Sequence, residues 1–212
     1  MGSFYEDSPE SALRFGDVVA GFQFATPQAH NPSRERQNDW AIAVSSPAYA
    51  VVVTPCCSIE QRAFALAPLV QIRPSFLKNE YLAEDLTRIN QKVAPEQSVP
   101  RDGWEKLPFE RRQSLIAKGP SYVFIDCFVY EEHALLCKYT LQRKGGPVEA
   151  GHYMVDFKSI CRVDCNLVDR EQPAPPGTKI LQLSVWTRQA MREKLSYYYG
   201  RPAEEDLSYL SP

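Results

Sequence analysis

The chain has no apolar run near the roughly 18 residues that span a bilayer, so no membrane partner is expected. It contains neither G-x-x-x-x-G-K-[ST] nor G-x-G-x-x-G, which argues against phosphate cradling by those loops. Basic excess is missing as well. Twenty-four Lys and Arg face 26 Asp and Glu, a formal charge of −2, whereas a protein that coats DNA carries a clear surplus of cations. Histidine is scarce: His30, His133 and His152 are the only imidazoles available as bases or ligands. The start, "MGSFYEDSPESALRFGD", has neither the basic beginning nor the apolar middle of a secretory signal, so a cytoplasmic location is expected. No internal repeat or low-complexity tract interrupts the 212 residues.

What is present suits an ordinary globular core, with 44% hydrophobic and 24% charged residues. Strand-like runs come first. Val18, Val19, Phe22 and Phe24 lie between Gly16-Asp17 and Pro27. "WAIAV", "AYAVVVTP" and "AFALAPLVQI" follow, after the polar loop "QAHNPSRERQND". From residue 74 the pattern changes. Leu77, Tyr81, Leu82, Leu86 and Ile89 recur at helical spacing, Pro95 and Pro100 stop that helix, and a second short helix is expected from Phe109 to Ala117. Strands return in "SYVFIDCFVY" and "ALLCKYTLQR", read as a hairpin across "EEH", and in "HYMVDFKSICRVDCNLV". "DREQPAPPG" is a proline-rich connector. A final helix at 183–199 has Ser184 as N-cap, Gly200 as C-cap and Pro202 as stop, with Trp186, Ala190, Leu195 and Tyr198 as its apolar face.

These elements predict a mainly β protein with helical additions, α+β in class. The expected core is a small, strongly curved antiparallel barrel at 14–73 and 120–168. Residues 74–119 form a helical insertion (helices within about 75–118), residues 1–13 a lead-in, and 14–212 a single domain. Strand–helix–strand alternation is absent, which disfavours a doubly wound parallel sheet.

The stretch "VVVTPCCSI" carries the first candidate chemistry. A residue at the end of a buried strand is held rigidly and can face solvent. Cys56 or Cys57 would become a nucleophile if a cation or imidazole lowered its pKa. No signature ties His30, His133 or His152 to either thiol, so the corner reads more readily as a turn with one thiol buried. Metal is not expected. Cys161 and Cys165, four apart in a strand, would sit about 13 Å from each other, and Cys56-Cys57 is not a chelating pair of the zinc type. Cys127 and Cys137 fall inside strand-like runs, where a free thiol packs as a small hydrophobe. The loop "HNPSRERQNDW" offers His30, Arg34, Arg36, Asn38 and Asp39, and Arg can grip phosphate with two prongs. A solvated charged loop is the commoner outcome for such a run. Tyr197, Tyr198, Tyr199 and Arg201 could stack bases, but they more often anchor a terminal helix, and Glu204, Glu205 and Asp206 follow at once.

"FGDVVAGFQF" and "YAVVVTPCCSI…AFALAPL" resemble the opening strands of the PemK/MazF-like toxin barrels, through Gly16-Asp17, Thr54-Pro55 and Pro68. That resemblance implies an SH3-like barrel, commonly a dimer, that binds or cleaves single-stranded RNA without metal or other cofactor. It makes Thr54 the hydroxyl candidate and Arg34 or Arg36 the cation. The neighbouring His30, Asn38, Cys56, Cys57 and Ser58 are the candidate substrate-binding residues. The loop after the first strand departs from the family by containing the extra strand "WAIAV". The layout also resembles uncharacterised bacterial proteins associated with mobile elements and phage defence. The alternative is a non-catalytic protein-interaction module, one subunit of a bacterial defence or regulatory complex. The acidic balance and the long insertion favour it.

Overall fold

A computed structural model describes residues 2–29, 40–61, 63–143, 145–164 and 178–201. In chain order its strands are β1 (Val18–Ala20), β2 (Phe24–Ala29), β3 (Trp40–Ser45), β4 (Tyr49–Val52), β5 (Ala63–Gln71), β6 (Cys127–Tyr130), β7 (Tyr139–Leu141), β8 (Val148–Ala150), β9 (Tyr153–Asp156), β10 (Cys161–Asp164) and β11 (Thr178–Leu181). The α-helices are α1 (Glu80–Glu84), α2 (Arg101–Lys106), α3 (Phe109–Lys118) and α4 (Val185–Gly200). The protein is α+β with antiparallel strand pairing, as the order of its expected elements implied. Among the described residues no helix is long and apolar enough to cross a membrane.

The chain divides into two units. One comprises Glu6–Val70 and Ser159–Gln182. Its strands run β11-β1-β4-β5, with β10 on β5, all antiparallel. Leu13, Val19, Phe22, Ala50, Val52, Ile59, Phe64 and Leu66 form its core. All four residues of β4 are buried, which suits its unbroken apolar run better than the half-buried alternation of an exposed sheet. The ladder does not close on itself among the described residues: β10 and β11 each pair with one strand, not with each other. The single strand expected over Val18–Phe24 is two. Gly21, at φ 91°, takes the left-handed conformation that glycine adopts without a Cβ penalty, and ends β1 after three residues. β2 then pairs with β3 in a separate two-stranded ribbon.

The other unit comprises Met1–Tyr5, Gln71–Lys158 and Leu183–Pro212. The hairpin expected between "SYVFIDCFVY" and "ALLCKYTLQR" does not form: β6 pairs with β9, and β7 with β8. The physical reason is burial. Every residue of β6 is buried, so its neighbour must be apolar too, and Tyr153, Met154 and Val155 of β9 qualify, whereas β7 alternates. The other side of Val129 is closed by a side chain. The Asn90 amide donates to Val129 O and accepts from Val129 N, both at 2.7 Å, imitating a strand partner.

The helical stretch after residue 74 is broken into short pieces rather than one long face. Asn79 accepts from Leu82 N and Asp85 from Thr87 N, and each such cap starts a new turn. Leu82, Leu86 and Ile89 are nonetheless buried, as their spacing required. α4 begins at the expected cap, Ser184, whose hydroxyl accepts from Thr187 N. It continues through Gly200 rather than ending before it. Its buried face also differs: Met191 and Lys194 point inward, while Trp186 is 78% exposed.

Candidate functional site

Thr54 lies two residues beyond β4, where the pairing with β5 stops. Val53 N donates to Ala65 O, and an antiparallel pair would complete itself with Ala65 N on Val53 O. The Thr54 hydroxyl takes that place, accepting from Ala65 N at 2.5 Å. Thr54 is 8% exposed. Next in the chain, the Cys56 sulfur accepts from Phe15 N at 3.4 Å, and Ser58 N donates to Pro55 O within the 3-10 turn Cys56–Gln61. The Cys57 side chain lies outside the described residues, as do His30, Arg34, Arg36 and Asn38. The structure therefore brings Thr54, Cys56 and Ser58 together at one corner, each in a backbone contact that secures the turn.

Gly16-Asp17 is stitched to the same strand end. Gly16 N donates to Val52 O, and Val52 N to Asp17 O. The Asp17 carboxylate, fully buried, meets Lys179 Nζ of β11 at 2.7 Å and accepts from Arg14 N at 2.7 Å. Lys179 also donates to Ala12 O and to the Gln182 side chain. This ion pair is not legible from local pattern, because its halves lie 162 positions apart in the chain. Among the described residues no group of three His, Cys, Asp or Glu could hold a metal ion. Cys161 lies half-buried in β10 and Cys165 lies outside the described residues.

The second unit contains a different arrangement. A cavity of about 370 Å³ lies beside the first half of α4, walled by the rings of Phe4, Phe128 and Trp186. Asp85, Glu131 and Gln91 supply polar groups, and among the described residues no Lys or Arg contributes to its lining. A second cavity, of about 510 Å³, adjoins it through the shared residues Asn90, Gln91 and Ala190. Its walls are Tyr122, Tyr197, Glu193 and Lys92. Trp186, Ala190, Glu193 and Tyr197 recur at four-, three- and four-residue steps, one stripe of α4, so a single helix face lines both cavities.

Ammonium groups already sit on these rings. Lys92 Nζ lies 5.8 Å from the Tyr122 centroid and 5.5 Å from that of Tyr197. Lys194 Nζ lies 5.3 Å from Tyr122, from inside the fold. Lys194 is fully buried and donates to Ile89 O at 2.5 Å. Burial pulls its pKa down to about 8, against the opposing influence of Cys127 and Asp126. Burial pushes the Cys127 thiol up to about 11, so it stays protonated and behaves as core. Nearby, Asp126 is bound by Arg73 at 2.9 Å and by Lys158 at 3.0 Å. Burial opposes its charge, but these two cations outweigh it and hold the carboxyl at about 2.

Sequence reasoning missed this groove because it assigned Trp186 and Ala190 to the packed face. The usable signal was Glu193 in the same stripe, since a carboxylate between aromatics at helical spacing marks a face that meets water. No protein-family model matches the chain, and no curated protein or solved structure matches it.

Proposed function

We propose that the protein is a non-catalytic interaction module that receives a basic side chain, Lys or Arg, from a partner protein in the groove beside α4. The observation that carries this reading is Trp186, 78% exposed at the rim of a cavity lined, among the described residues, by two acidic side chains and no basic one. An ammonium or guanidinium entering there gains the face of an indole, the best of the aromatic rings for this purpose, and a negative field. The adjoining tyrosines hold Lys92 in the same manner. One such contact at an exposed site contributes about 0.5–1 kcal/mol, so specificity would come from several contacts along the groove.

The test is titration with an acetylated, amidated Gly-Lys-Arg-Gly peptide, followed by the indole N–H resonance of Trp186. A saturable shift, weakened by salt and reduced by Glu131→Lys, is expected. An equal shift with Gly-Glu-Asp-Gly, or no shift with either peptide, would overturn the reading.

The second reading is the toxin-like one: an SH3-like barrel that binds or cleaves single-stranded RNA through Thr54 and Arg34 or Arg36. The open antiparallel ladder of five strands and the strand-end position of Thr54 support it. It ranks second because the Thr54 hydroxyl is engaged by Ala65 N and nearly buried. Incubation with single-stranded RNA beside Thr54→Ala and Arg36→Ala tests it. Cleavage lost in both variants would restore it, and equal cleavage by all three proteins would remove it.

A further inference from the structure

β3 has an apolar face turned to solvent. Trp40 is 63%, Ile42 72% and Val44 65% exposed, and they share that face with Ala25 and Pro27 of β2. Among the described residues β3 is bonded to β2 alone. A two-stranded ribbon is marginal in water by itself, and an unprotected edge is a template for another strand.

Proline fixes which backbone groups are available at that edge. Pro27 is the register partner of Ile42. Having no N–H, it cannot belong to a pair that exchanges two N–H···O bonds, so Pro27–Ile42 is the non-hydrogen-bonded kind. The alternation then places the bonded pairs at Thr26–Ala43 and Gln28–Ala41. The N–H and C=O groups of Trp40, Ile42 and Val44 accordingly point away from β2, toward the open edge. On the ribbon's opposite edge Pro27 removes a donor, which blunts it.

From this we infer that β3 pairs with β3 of a second copy, antiparallel about a two-fold axis at Ile42. In that register Ile42 faces its own mate and Trp40 faces Val44 of the other copy. All three pairs are of the hydrogen-bonded kind, because they use the outward groups of both strands. The apolar side chains fall on one face as aromatic–β-branched and aliphatic neighbours, each pair adding about 0.2–1 kcal/mol. A shift by one residue would set Trp40, Ile42 and Val44 against the opposite face of the other strand, so the register is specified. Neither β2 nor β3 contains a charged residue, so self-pairing brings no like charges together. Three such side chains expose well under the roughly 800 Å² per partner that a stable interface buries. The dimer is therefore weak and reversible.

The measurement is molar mass by light scattering or sedimentation at on the order of 100 µM, for the wild type, Ile42→Pro, Ile42→Lys and Thr26→Lys. Dimeric wild type and Thr26→Lys, with monomeric Ile42→Pro and Ile42→Lys, is the expected result. Proline at 42 removes an outward donor and spares the bonds to β2; unchanged thermal unfolding, read in parallel, establishes that each variant is folded. If Ile42→Pro unfolds, Trp40→Lys and Val44→Lys take its place and must both be monomeric. A monomeric wild type overturns the inference. So does a folded, dimeric Ile42→Pro, which would mean that faces pack rather than edges pair.

Discussion

Replacing Thr54 by valine separates a structural hydroxyl from a reactive one. The side chains are nearly isosteric, so the change deletes one acceptor and leaves the packing volume in place. The group left without its partner is Ala65 N–H, half-buried at the last rung between β4 and β5. Net hydrogen bonds contribute about 0.5–1.5 kcal/mol, and an orphaned donor that keeps some access to water costs near the middle of that range, about 1 kcal/mol. For a chain of this length 1 kcal/mol corresponds to about 2–4 °C in Tm. Thermal unfolding of the wild type, Thr54→Val and Thr54→Ser, followed by circular dichroism, reads the effect. Serine keeps the oxygen and loses a methyl, so it should stay closer to the wild type than valine does. An unchanged midpoint for Thr54→Val would show that the hydroxyl does not serve Ala65 and is available for chemistry. A fall in Thr54→Ser as large as in Thr54→Val, although serine keeps the oxygen, would show that stability does not follow the hydroxyl and would refute the hydrogen-bond argument.

Two further predictions concern the second unit. Lys194→Met should stabilise the protein by about 2 kcal/mol at pH 7: a pKa held at about 8 instead of 10.5 represents roughly 3 kcal/mol of penalty, offset by about 1 kcal/mol for the lost bond to Ile89 O. The penalty is complete below pH 8 and is relieved as pH rises toward 10.5, so the wild type should gain stability across that window in urea unfolding while the variant does not. Asp126→Asn should remove stability that the wild type holds above pH 3.8 and loses as pH falls toward 2, seen as a flatter acid limb for the variant in the same assay.

The legible parts of the fold were those whose cause is local. The caps at Ser184, the helix at Phe109–Lys118 and the strands at β4 and β5 each follow from residues within a few positions of one another. Pairing was less legible, because an apolar run does not say which apolar run it meets. Residues on both sides of "EEH" look equally fit to join, and only the full burial of β6 selects β9. The buried pair Asp17–Lys179 was invisible for the same reason: a charged residue reads as surface until its distant partner is in place.

Both surfaces proposed here lie where a pattern of side chains and the burial of those side chains disagree. "WAIAV" alternates as a strand should, yet the large residues of the alternation face water and the alanines are half-buried. In α4 the periodic aromatic stripe faces out while a lysine takes the interior position. Periodicity reports only that two faces differ; which face is covered depends on what the neighbouring elements offer. At α4 the neighbouring carbonyl of Ile89 and ring of Tyr122 accept an ammonium, so Lys194 can turn inward and Trp186 is released to the rim. The inward lysine and the outward tryptophan are thus one choice of helix rotation. Lys194→Met fills the same inward position with an apolar side chain, so α4 should keep its rotation, Trp186 should stay exposed and the peptide response should persist; loss of that response would show that the bond of Lys194 to Ile89 O is what sets the rotation.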